Sequence, residues 1–368
     1  MSPPPAGAAP LAGLRVLELA RILAGPWAGQ LLADMGAEVV KVEAPEGDDT
    51  RRWGPPFIGE DAAYFHACNR GKSSVVADFG TEEGRAAVRA LAADADVVIE
   101  NFKVGGLDRH GLGYDTLSAL NPRLVWCSIT GFGQDGPRAP QAGYDALIQA
   151  MSGLMSITGE PGREPQKVGV AVVDLFTGVY AAAAILAALR HRDATGRGQR
   201  VDMALLDVAL AMSANQGMNY LATGVPPARM GNAHPNIVPY QVLPCRDGPV
   251  MVAVGNDGQF RRLLAILGLP EDPAHATNPQ RLADREALVA RLSGPTRAMT
   301  RAALVGACEA AGVPAGPIND LAEALADPQV VHRGMRIAPG GVPGLRSPVR
   351  FSETPLVLER PAPRLGEG

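Results

Sequence analysis

Cysteine is scarce in this chain. Cys68, Cys127, Cys245 and Cys308 are the only four in 368 residues, and no two form a CxxC pair. This excludes a zinc knuckle and a dithiol redox motif, and thiols this few and scattered fit a reducing, cytoplasmic compartment. The six histidines include no pair three or four residues apart, so no helical metal site is expected. A net charge of −4 gives no whole-chain field to attract nucleic acid. There is no GxxxxGK[ST] loop and no GxSxG elbow, and the first strand–turn–helix unit carries no GxGxxG. These absences argue against a P-loop nucleotide, an acyl-serine enzyme and a resident dinucleotide. Met1 to Gly13 is rich in Pro and Ala and lacks the basic start and apolar core of a secretory signal. One stretch, Gly169–Leu189, has the apolar length of a membrane span. Asp174 interrupts it and its Ala-rich half is weakly apolar, so it reads as a buried core helix, with no membrane partner.

Glycine (43) and proline (32) are plentiful, a composition of many tight turns. Short β-rich runs at Leu14–Leu19, Ala37–Glu43, Asp96–Asn101 and Leu124–Thr130 alternate with helical patterns at Ala24–Met35 and Thr81–Ala93. This predicts an α/β fold with a Rossmann-like, doubly wound parallel sheet. Thr81 is the expected N-cap, with Glu82 and Glu83 in the first turn, where the helix dipole favours anions. A long helix is predicted over Asp174–Arg190, a strand over Arg200–Ala204 and a helix over Leu205–Tyr220. Beyond Gly224-Val-Pro-Pro227 the pattern changes. An antiparallel pair, 239–244 and 249–254, around Arg246-Asp-Gly248, with helices at Asp257–Leu267 and Arg301–Ala311, predicts a second, smaller α+β domain. The expected division is 1–224, completed by 328–368, for the large domain and 225–327 for the small one. The tail holds one strand-like run, Val349–Ser352.

Asp174 stands out chemically. It lies inside Val170-Ala-Val-Val-Asp-Leu-Phe-Thr-Gly178, the most apolar stretch of the chain. A carboxylate there must be paired, capped or functional. It reads equally as a plain N-cap aspartate and as a desolvated nucleophile held anionic by helix N–H groups. The turn Ala20-Arg-Ile-Leu-Ala-Gly-Pro26 is either a mere helix start or a source of free backbone N–H donors for a phosphate or carbonyl. Asn101 and Phe102 end a predicted parallel strand and Arg109 follows them, where open α/β sheets bind ligands. For Arg109 a solvated surface charge is the competing reading.

Five segments in order carry a resemblance. They are Gly13–Leu19 with Ala24-Gly-Pro26; Asp34–Glu43; Asp96–Phe102; Gly131-Phe-Gly-Gln-Asp-Gly-Pro137; and Thr195-Gly-Arg-Gly-Gln-Arg-Val-Asp202. Together they resemble the class III CoA-transferases, whose fold the alpha-methylacyl-CoA racemases share, over Leu11 to about Gly366. The resemblance implies an acyl-CoA:carboxylate CoA-transferase, with the CoA thioester as substrate and no permanently bound cofactor. It implies a homodimer of two chains interlocked like linked rings. By position, Asp174 falls on the family's acylated aspartate, and Ala24, Asn101, Phe102 and Arg109 fall on or beside CoA-contacting positions.

Three departures from the wider family narrow the reading. Racemases carry Gly-His-Asp where this chain reads Gly143-Tyr-Asp145, and Tyr144 matches the transferase side of the family. A tyrosine is a poor base at neutral pH, which argues against the alternative of a racemase or epimerase. A non-catalytic acyl-CoA-binding protein is a further alternative, separable by the fate of an Asp174 variant. The Gly-rich lid of formyl-CoA transferase is replaced by Gly231–Tyr240, which argues against oxalate or formate. That segment looks like those of glutarate-type and citramalate-type relatives. Its His234 and nearby Arg229 are candidates to meet the distal carboxylate of a dicarboxylic acid, or else a loop histidine and a surface arginine. Relatives usually continue into a short helix beyond Arg364–Gly368.

Overall fold

Six short strands form one parallel sheet: β1 (Arg15–Glu18), β2 (Glu38–Glu43), β3 (Ser73–Val76), β4 (Val97–Glu100), β5 (Val125–Thr130) and β6 (Arg200–Ala204). The order is β3-β2-β1-β4-β5-β6, with every neighbouring pair parallel. Successive side chains enter opposite cores, as strand geometry requires. Val16, Val97, Ile99, Val125, Cys127 and Ile129 join one core. Leu17, Val98 and Trp126 join the other. Both faces are therefore covered, which explains why these strands read as nearly continuous apolar runs.

Helices α1 (Ala24–Asp34) and α5 (Val172–Thr195) supply the first core. α2 (Glu82–Asp94) and α3 (Tyr114–Leu120) supply the second. α4 (Asp145–Met151) and α6 (Leu205–Met212) pack beside α5. Thr81 caps α2 as its sequence suggests, its side chain accepting the Gly84 N–H at 3.1 Å. α1 tolerates two glycines because neighbours press on it: a Cβ on Gly25 would meet the Ala20 Cβ at 2.3 Å, and one on Gly29 the Glu18 Oε2 at 1.9 Å.

The computed structural model describes residues 7–367; the first six residues of the Pro-rich start, and Gly368, lie outside the described residues. The chain divides into two units. Unit 1 runs to residue 154, resumes over 167–214 and again from 328. Unit 2 takes 155–166 and 215–327. The boundary thus differs from the expected residue 225. The cause is a break in the helix expected over Leu205–Tyr220, which is two helices, α6 and α7 (Ala214–Thr223), divided where Ala214 adopts φ +41°. The polar run Ser213-Ala-Asn-Gln-Gly217 at the break is its only local mark.

β3 was absent from the expected strands. The tail run Val349–Ser352, expected as a strand, is irregular; it follows Pro348, whose ring removes a ladder donor. Instead Arg336–Ile337 pairs with Gly344–Leu345. Farther on, the tail returns along unit 1. The Val357 N–H bonds the Asp34 carbonyl, Arg51 donates to the Pro363 carbonyl, and the Ser74 N–H of β3 bonds the Glu367 carbonyl. The outer edge of β3 is covered in this way.

Unit 2 holds a three-stranded antiparallel sheet, β9-β8-β7, from β7 (Tyr240–Cys245), β8 (Gly248–Ala253) and β9 (Ala315–Pro317). α8 (Asp257–Ile266), α9 (Arg285–Ala298) and α10 (Arg301–Ala310) close a core around Val250, Val252, Phe260, Leu263, Leu292 and Leu304.

Candidate functional site

The strand order reverses between β1 and β4, and open α/β sheets bind ligands outside the strand C-termini at such a point. A cavity of about 620 Å³ lies there. Its wall comes from the loops that leave β1 (Arg21–Ala24), β4 (Asn101–Gly106) and β5 (Gly131), with Ala139–Tyr144, Leu205, Arg109 and Asp174. The expected residues Ala24, Asn101, Phe102, Arg109, Tyr144 and Asp174 therefore line one space. The run Gly131–Gly136 has the letters of GxGxxG but leads into irregular chain, so it lacks the helix N-terminus that would hold a pyrophosphate.

Asp174 sits in the first turn of α5. Its carboxylate does not cap that helix. Asp145 does so from α4: its Oδ1 accepts the N–H groups of Val173 at 2.8 Å and Asp174 at 3.3 Å. Its Oδ2 accepts from Gln149 Nε2 at 2.6 Å. Gln149 in turn accepts the Val168 N–H at 2.9 Å. Both oxygens of Asp145 are thus committed, while the Asp174 carboxylate has no hydrogen-bond partner among the described residues and faces the cavity. Burial pushes its pKa up to about 7, and the Asp145 charge adds to that shift. A carboxylate half-ionised near neutrality, in a cavity, with no structural duty, is equipped for nucleophilic work.

Tyr144 is 64% exposed, which places it at the rim rather than in the cavity floor. The loop that carries it is pinned backbone to backbone: a Cβ on Gly131 would meet the Gly143 Cα at 2.5 Å. Asn101 holds the opposite wall. Its side chain accepts the Arg21 N–H at 2.8 Å and donates to the Arg21 carbonyl at 2.6 Å. Its amide is spent on the loop after β1. Phe102 lies under the Arg21 guanidinium, 5.8 Å from ring centre. Arg109 is exposed, with its Nε on His110 Nε2 at 3.1 Å and no partner on its terminal nitrogens among the described residues.

Arg229 and His234 belong to unit 2. Arg229 donates to the Ser156 and Arg163 carbonyls at 3.3 and 2.8 Å. His234 stacks on Tyr240, rings 5.1 Å apart, and its Nδ1 accepts the Asn236 N–H at 3.0 Å.

Sequence reasoning missed a buried ionic cluster behind the Arg21–Ala24 wall. Lys41 Nζ meets Glu18 at 3.1 Å and Asp48 at 2.9 Å; Lys72 Nζ meets Glu18 at 2.7 Å. All four side chains are fully buried or nearly so. Burial works against both ammonium charges. Glu18 and Asp48 nevertheless hold Lys41 above the usual lysine range, while Lys72 is held below it. The one signal available was a lysine between Val40 and Val42 in a buried strand.

The chain matches the family model described as CoA-transferase family III over residues 11–368. The chain belongs to that family. Family III relatives include the succinate–glutarate CoA-transferase of Agrobacterium fabrum, 58% identical, the match covering 97% of this chain and 93% of the relative. The human succinyl-CoA:glutarate CoA-transferase is 41% identical over 97% of this chain and 84% of its own length. Among solved structures, a CAIB/BAIF family protein from Brucella suis is 59% identical with a TM-score of 0.89, covering 98% of this chain and 97% of that one. The resemblance to class III CoA-transferases read from the five segments is thereby shown, and the protein is a CoA-transferase.

Proposed function

We propose that this CoA-transferase moves CoA between dicarboxylic acids of the succinate and glutarate type through a covalent intermediate on Asp174. The observation that carries the reading is the division of labour at α5: Asp145 caps the helix and leaves the Asp174 carboxylate free at the cavity wall. Asp174 attacks the donor thioester carbonyl, forming an aspartyl–acyl anhydride and expelling CoA thiolate. The thiolate attacks the aspartyl carbonyl, releasing the donor acid and leaving an aspartyl-CoA thioester. The acceptor carboxylate then attacks that thioester, and the same steps run in reverse order, ending with Asp174 free. Acyl transfers between carboxyl derivatives replace a difficult direct exchange.

The wall supplies the rest. Arg109 suits a CoA phosphate, because guanidinium forms charge-assisted bonds to phosphate. N–H groups at the start of α1 suit the developing oxyanions. For a distal carboxylate, His234 has the available donor: Nδ1 accepts a hydrogen bond, so the neutral ring carries its proton on Nε2. Arg229 has both terminal nitrogens engaged locally.

Two chains complete the enzyme in this reading. On α5, Phe176, Val179 and Tyr180 are 46%, 50% and 46% exposed at helical spacing, next to exposed Leu147 and Met151 of α4. An open apolar stripe of this kind marks a protein interface, here that of the interlocked homodimer. Four free cysteines fit a reducing, cytoplasmic setting.

The test is mass-spectrometric monitoring of CoA exchange between succinyl-CoA and a panel of free acids, with oxalate and monocarboxylates beside glutarate and methylated dicarboxylates. Faster turnover on oxalate or on any monocarboxylate than on every longer dicarboxylate would refute the substrate class. Hydroxylamine trapping with succinyl-CoA alone should place a hydroxamate on Asp174; a hydroxamate on Asp145 instead would refute the mechanism.

A further inference from the structure

The turn from Ala20 to Pro26 is gripped along its backbone by side chains from elsewhere in unit 1. Lys41 Nζ donates to the Ala20 carbonyl at 2.8 Å. Asn101 takes both the N–H and the carbonyl of Arg21. Asp48 accepts the Ile22 N–H at 3.2 Å on Oδ2 and 3.4 Å on Oδ1. The Cys68 thiol lies 3.6 Å from the Ile22 carbonyl. Lys72 Nζ donates to the Pro26 carbonyl at 2.8 Å.

Ile22 needs such a grip. It adopts φ +72°, a left-handed conformation that a β-branched residue avoids because its Cβ crowds the following carbonyl. Left alone, it would relax to negative φ and swing the Arg21–Ala24 wall out of place. Asp48 is well anchored for the task. Thr50 donates to Oδ1 from its N–H at 3.0 Å and from its hydroxyl at 2.8 Å. Lys41 neutralises the carboxylate from 2.9 Å and is itself fixed to Glu18, which Lys72 shares. Two cations and two anions form a closed set with no net charge, sited where an apolar core would ordinarily stand. An unpaired charge there would be costly, so each member holds its partner in place.

We propose that Asp48, backed by Lys41, Glu18 and Lys72, is a positioning residue that holds Ile22 left-handed and so shapes the wall against which the CoA thioester binds. The cluster touches no substrate and acts through the Ile22 peptide. This rests on reading the cavity as the thioester site.

A double-variant cycle tests it. Asp48→Ala should raise KM for the acyl-CoA roughly tenfold, the scale of releasing one strained backbone conformer, with a smaller effect on kcat. Amide exchange should accelerate in the peptide spanning residues 20–26. Ile22→Gly removes the strain, because glycine takes positive φ freely. In the Ile22→Gly background the same Asp48 change should raise KM by less than about threefold. A cluster that merely stabilised the fold would give the same KM ratio in both backgrounds. Should Asp48→Ala not fold, Asp48→Asn enters the same cycle. Equal ratios, or unchanged exchange over residues 20–26, would overturn the proposal. Arg109→Ala separates the two readings: if it leaves KM unchanged the cavity assignment fails, and if it raises KM while Asp48→Ala does not, only the positioning role fails.

Discussion

Asp145 Oδ1 lies 2.8 Å from the Val173 N–H and 3.3 Å from that of Asp174, so one aspartate does the capping that leaves the other free. Burial raises the Asp174 pKa, and the neighbouring Asp145 charge adds to that rise.

Removing the free carboxylate should abolish turnover. We expect Asp174→Ala to lower kcat by roughly a thousandfold or more, as when a covalent route is lost. CoA binding should remain near wild type, and the melting temperature should not fall below it. Asp174→Asn should behave alike, apart from traces restored by deamidation. Turnover above a few per cent in the alanine variant would remove Asp174 from the mechanism.

The pH profile should follow from the raised pKa. Attack needs the anion, so kcat/KM should rise with pH through about 7 and level off above it. Asp145→Asn keeps an oxygen to accept the Val173 N–H and removes the neighbouring charge. Burial is the larger cause of the shift, so the acid limb should move down only modestly, by about one pH unit or less. An upward move would contradict the assignment of Asp145 as the second contributor.

Stability carries the opposite sign. With Asp174 raised in the folded state and ordinary in the unfolded one, the folded chain binds more protons between pH ~4 and 7. Its contribution to stability is therefore present below pH ~4 and lost as pH rises toward 7. Asp174→Asn should melt higher than wild type at pH 8, and the gap should close on acidification. Thermal melts across that range decide it.

Gly178→Ala should damage both fold and activity. The added Cβ would lie 2.8 Å from the Ala24 carbonyl and 2.9 Å from the Trp27 ring, so α5 must back away from α1. Overpacking of this kind costs about 1–3 kcal/mol. Because Asp174 lies one turn away, kcat should fall together with the melting temperature.

Racemisation should be absent. Tyr144 is a rim residue, and exchange of an α-proton needs acid–base groups on both faces of the carbon. A chiral 2-methylacyl-CoA held with the enzyme in deuterated water should gain no α-deuterium, and incorporation at a catalytic rate would reopen the racemase reading.

Legibility followed the range of each signal. β1, β2, β4 and β5 are readable because each buries side chains on both faces over four to six residues, and β6 because its exposed and half-buried residues alternate. β3 is not: it begins Ser73-Ser74, and Ser74 spends its hydroxyl on Glu43 at 2.6 Å, a partner outside the local pattern. Asp174 was visible as a charge in an apolar run. Its release from capping was not, because the replacement cap stands 29 positions earlier in the chain. Asn101 falls at the right strand end, but its amide bonds Arg21, 80 positions earlier and outside any local pattern. Lys41 shows nothing in the sequence beyond its place in a buried strand, since Glu18 and Asp48 reach it from separate segments.

The covering of β3 by Glu367 has a consequence for biosynthesis. Domains usually close as they leave the ribosome, N-terminal parts first. Here the first sheet to be translated keeps an unprotected edge until residue 367 has emerged, whereas every segment of unit 2 is available by residue 327. Throughout that interval β3 presents open N–H and carbonyl groups, the ordinary starting point of edge-to-edge aggregation. Chaperone dependence in a heterologous host, and sensitivity to truncation of the last dozen residues, would both trace to those late strand-edge contacts.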